Sequence, residues 1–149
     1  MSNEISVSEK IRETISAAKP GLLKISPGLA SKKSSPASWS KKEILGHLID
    51  SASNNHQRFV RAAQNAAIDF PVYKQDSWVE LQHYNEMDWL NLIELFYQYN
   101  YHISRVIDFL PAESFDNLCN IGKDKPVTVK FIVEDYLRHL KHHIEKILE

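Results

Sequence analysis

The 149 residues are 43% hydrophobic and 25% charged, with 18 basic against 19 acidic side chains and a formal net charge of −1. That is ordinary for one globular domain large enough to bury a core, and the balanced charge offers no basic excess to nucleic acid or an anionic membrane. One cysteine, Cys119, excludes an internal disulfide framework and fits a reducing cytoplasm. No run of about 18 apolar residues suits a membrane helix. The polar, acidic start MSNEISVSEKIRET is unlike a signal peptide.

With four glycines, no strand-type alternation and no internal repeat, an all-α chain is expected. The first helix is predicted from about Ser8 to Ile25, with Ile11, Ile15, Ala18, Leu22 and Ile25 at helical spacing. Pro20 should kink or interrupt it. The Ser-, Pro- and Lys-rich SPGLASKKSSPASW then reads as a loop. The second helix has the clearest start. Ser40 and Glu43 form a capping box, Trp39 and Ile44 a hydrophobic staple, and the helix should reach about Asn65. The connection AIDFPVYKQDSWVELQHYNEM is long for a structureless link, so it is expected to cover something. The third helix is predicted from Asp88 to Leu110, where Pro111 ends it. After a loop holding Cys119 and Gly122, a fourth helix starts near Thr128 as N-cap and continues to Leu148. Residues 1–149 thus read as a single four-helix-bundle domain with long connections, whose order need not be up-down-up-down.

The last helix carries RHLKHHIEK, three histidines within five residues. A helix turns about 100° per residue, which, with Ile132 as zero and the apolar stripe at about 75°, puts His139 and His143 at the margin of the stripe and His142 at about −80°, far from it and towards water. His139 and His143 are an i,i+4 pair that one metal ion can bridge. A solvated basic end, which suits the helix dipole, explains the same residues equally well. The metalloprotease pattern H-E-x-x-H is not met, because Leu140 stands where the glutamate belongs.

A third ligand is sought on the second helix, where His47 lies off the apolar stripe. Ser51, Asn54 and Arg58 follow it on one face, a row that either lines a polar pocket or simply meets solvent. His56 lies half a turn from His47, His83 falls in a loop and His102 at a polar edge; Cys119 has no zinc-site neighbours in sequence.

The capping Trp-Ser and Gly-His-Leu of WSKKEILGHLIDS, the later DYLRHLKHHIEKI with its H-x-x-H-H, and the covering segment FPVYKQDSW together resemble the DinB-like, YfiT-like superfamily of metal-dependent enzymes across nearly the whole chain. The resemblance implies a four-helix bundle with zinc or nickel held by His47, His139 and His143, and with Asn54 and Arg58 as substrate-binding residues. It further implies a small-molecule substrate and a homodimer. The activities it suggests are transfer of a low-molecular-weight, bacillithiol-type thiol, or a related hydrolysis. Three imidazoles leave a tetrahedral ion one open position, where a water or thiol would become acidic. Asp50 and Asp135 are candidate partners for an imidazole N–H. Tyr73 and Trp78 either line the pocket or merely pack. The alternatives are a non-catalytic metal-binding homodimer of a stress response, and a metal-free bundle working through an apolar helix face.

Overall fold

The computed structural model describes residues 5–65 and 68–149; the first four residues of the polar N-terminal stretch, and residues 66–67 at the head of the second connection, lie outside the described residues. Four long helices carry the molecule: α1 (Val7–Lys24), α3 (Lys41–Gln64), α5 (Trp89–Phe109) and α6 (Val129–Leu148). Two short helices, α2 (Pro27–Ser31) and α4 (Gln75–Gln82), lie within the first two connections.

Local chemistry sets the helix starts. Ser40 Oγ accepts from the Glu43 N–H at 3.1 Å, and Glu43 Oε1 accepts from the Ser40 N–H at 3.0 Å, satisfying two donors that a helix N-terminus leaves free. Ser6 and Glu9 build a second capping box at α1. Asp88 and Thr128 cap α5 and α6 through the Asn91 and Phe131 N–H groups. Of the kink or interruption expected at Pro20, the interruption does not occur, since α1 is helical on both sides of it. Pro20 and Ser16, whose carbonyl loses its partner, are both exposed, so water can take over that bond.

α1 packs on α5 and α6, and α3 packs on the same two helices. Round the bundle the order is therefore α1, α5, α3, α6, with the first two long helices on a diagonal. The core between them includes Ile11, Ile15 and Leu22 of α1, Leu45 and Phe59 of α3, Phe96 and Ile103 of α5, and Leu140 of α6, all 0–1% exposed. No helix among the described residues is long and apolar enough to cross a membrane.

The two later connections meet in a three-stranded sheet of β1 (Ile68–Asp69), β2 (Leu118–Asn120) and β3 (Val127–Thr128). β1 pairs parallel with β2, Ile68 opposite Cys119, and β2 pairs antiparallel with β3, Leu118 opposite Thr128. Strands of two or three residues are too short to show an alternating pattern in sequence. Just past β2, Gly122 has φ +89°, and its bare Cα faces Val72, which would meet any Cβ placed there.

Candidate metal centre

α3 and α6 lie side by side, and their contact brings His47, His139 and His143 together. One ring nitrogen from each lies within 4.8 Å of the other two. The Nε2 atoms of His47 and His139 are 3.1 Å apart. Two ligands on a tetrahedral zinc ion with bonds of about 2.0–2.1 Å would stand about 3.3 Å apart, so this pair is already near that spacing. The ring centroids of His47 lie 5.0 Å from His139 and 4.9 Å from His143, and those of His139 and His143 lie 4.4 Å apart.

The environment keeps these rings neutral. Burial, reinforced by His139 and His143, holds the His47 imidazole down at about 3. Burial, then His139, His142 and Lys146, holds His143 at about 4. Burial also lowers His139, although Asp135 pulls the other way. A neutral imidazole presents the lone pair a metal needs. The Nδ1 atoms of His47 and His143 are buried without a hydrogen-bond partner among the described residues. Unpartnered buried nitrogens are costly. Three converging neutral imidazoles with polar atoms left over are a donor set that suits a divalent transition-metal ion.

His47 is 1% exposed, although its wheel position falls on the polar side of α3. α6 covers that side, and the indole of Trp39 lies on the ring at 4.8 Å between centroids. His142 is exposed, as its wheel position predicts. The remaining histidines stand apart. His56 accepts or donates at the Tyr99 hydroxyl, 2.9 Å away, with His102 beside it. His83 is exposed, with φ +52° at the end of α4. Cys119 is buried in β2.

The polar row on α3 divides between two hollows. Ser51, Asn55 and Arg58 line a cavity of about 210 Å³ that His139, Asp135 and Tyr73 also border. Asn54 turns its amide back to the Asp50 carbonyl at 2.9 Å and borders the neighbouring cleft instead. Asn55, absent from the sequence-derived set, reaches the cavity because four-residue steps from His47 through Ser51 drift round the helix towards it. Tyr73 borders the same cavity and packs edge-on to Trp78 at 5.4 Å.

Asp50 is 1% exposed, and its Oδ1 accepts from the Tyr84 hydroxyl at 2.5 Å and from Gln82 Nε2 at 2.7 Å. Its Oδ2 has no partner among the described residues, and burial pushes the carboxyl up against those two hydrogen bonds. Asp135 is held by Arg138, with Nε donating at 2.9 Å and Nη2 at 2.7 Å.

The family profile described as the DinB superfamily matches residues 11–147. A solved structure, YfiT from Bacillus subtilis, described as a probable metal-dependent hydrolase with an unusual four-helix bundle topology, superposes with a TM-score of 0.84. It shares 18% identity with this chain, and the match covers 99% of this chain and 88% of that one. No curated protein matches significantly.

Proposed function

The chain belongs to the DinB superfamily, and from that premise we propose that His47, His139 and His143 hold a divalent metal ion, zinc or nickel, and that the site acts on a small molecule. The observation that carries this reading is the 3.1 Å approach of two imidazole nitrogens from helices 92 residues apart in sequence, with the third ring beside them. Held by three protein ligands, such an ion supplies an open position and Lewis acidity. That chemistry serves hydrolysis, in line with the description of the similar bundle. It serves equally the transfer of a low-molecular-weight thiol as co-substrate.

The protein's own groups divide the remaining work. Trp39 and α6 exclude water from His47 and fix its ring. Asp135, with Arg138 on its outer side, keeps negative charge beside His139. Asp50 stands one turn beyond His47 with no partner on its Oδ2 among the described residues, while Tyr84 and Gln82 hold the other oxygen. Arg58 and Asn54 face the hollows where substrate would enter. The cavity bordering His139 favours turnover over simple storage, because storage needs no room for a second molecule.

Elemental analysis of purified variants tests the assignment. Wild type and His142→Ala are expected to carry stoichiometric metal, whereas His47→Ala and His143→Ala lose it with helical circular dichroism preserved. Equal metal in all four proteins would end the reading.

A further inference from the structure

Arg58 is half-buried and, among the described residues, forms no ion pair. Among the described residues its one side-chain hydrogen bond is a long 3.4 Å contact from Nη1 to Asn55 Oδ1. The acidic groups nearby are engaged elsewhere or do not reach it. Asp135, across the same cavity, is taken by Arg138. Asp50 is held through Oδ1 by Tyr84 and Gln82, and neither of its oxygens pairs with Arg58 among the described residues. Asp69 borders the adjoining cleft without pairing to Arg58. The titratable groups facing the guanidinium are Tyr73 and Cys119, and burial favours the neutral form of both. A cation withdrawn from water with no counter-charge costs stability, and a planar guanidinium matches a carboxylate or phosphate with two parallel N–H donors.

Arg58 follows His47 by three turns, roughly 16 Å along α3 at 1.5 Å per residue. Helical side chains lean towards the N-terminus, so the guanidinium leans back towards the histidines. The cavity of about 210 Å³ reaches from Arg58 to His139, and the buried polar side chains of Ser51 and Asn55 lie between. We infer that this cavity takes a small two-ended anion, its carboxylate or phosphate anchored by Arg58 and its reacting group several bonds away beside His139. The inference rests on the metal reading for the reacting end only; the anion end stands on Arg58 alone.

Titration of inorganic phosphate and, separately, acetate into chelator-stripped protein, followed by NMR, tests it. Wild type is expected to show saturable shifts at Asn55 and Tyr73. Arg58→Gln should weaken binding by about tenfold or more. Arg58→Lys, which keeps charge but not the fork, should fall between, and it keeps the test readable if Arg58→Gln is unstable. Arg61→Gln, in the adjoining cleft, should bind as wild type. The relative strength of the two probes tells phosphate from carboxylate preference. His143→Ala should lose metal and keep phosphate binding, so failure of the metal reading and failure of the anion site are distinct results. Unchanged binding in Arg58→Gln, equal losses in Arg58→Gln and Arg61→Gln, or no saturable binding of either probe would overturn the inference.

Discussion

Gly46 shows how much one absent methyl group governs at this site. The Tyr84 ring lies where a Cβ on Gly46 would stand, and from there its hydroxyl reaches Asp50 at 2.5 Å. Alanine is the better helix former by about 1 kcal/mol. Gly46→Ala is nevertheless expected to lower stability by about 1–3 kcal/mol, because the buried ring must move. Urea unfolding would measure this, and a stabilised variant would refute the packing account. The histidines make a second prediction at this scale. Unfolded imidazoles titrate near about 6.5, whereas His47 and His143 sit at about 3 and about 4 in the fold. Between those values the unfolded chain binds more protons, so stability falls as pH falls. The contribution is whole above about 6.5 and is lost progressively down towards the folded values. The urea midpoint of metal-free protein should therefore be lower at pH 5 than at pH 7.5, and His47→Gln should shrink the difference. A midpoint that ignores pH across that range would contradict the burial of these rings.

Among the helices, what is local in origin is legible in the sequence. Ser40 with Glu43 announces α3, Thr128 announces α6, and the wheel separates exposed His142 from His139 and His143. These features need only neighbours three or four residues away. His47 is harder to read, because its own helix places it on the polar side and only the arrival of α6 buries it. Asn55 is missed for a similar reason, since the cavity edge is drawn by other elements. The cap itself is open to test. Ser40 is buried, receives the Glu43 N–H, and donates to Asn85 Oδ1 at 2.6 Å. Ser40→Ala should cost about 1–2 kcal/mol while leaving metal content intact. Loss of metal with it would mean that the start of α3 also sets the His47 ring.

For the molecule entire, the ring order α1, α5, α3, α6 puts the two helices that carry His47, His139 and His143 in direct contact. An ion there would clasp segments 92 residues apart. Zinc at about 100 times its dissociation constant would add about 2.7 kcal/mol, or roughly 5–10 °C in Tm for a chain of this size. Chelator should abolish that gain in wild type and change nothing in His143→Ala; the same response in both would place the ion elsewhere.

The parallel pairing of β1 with β2 has a kinetic consequence. The Phe70 N–H donates to the Asn120 carbonyl at 2.8 Å, joining two distant stretches of chain, and the Val129 N–H donates to the Asn117 carbonyl at 3.0 Å within the second of them; Val72 and Tyr73 beyond β1 and Ile121 beyond β2 border the cavity. Neither stretch can swing away while the other stays. Deuterium should accordingly enter at Phe70 and Val129 with a shared rate, and a ligand held against Val72, Tyr73 and Ile121 should slow both together.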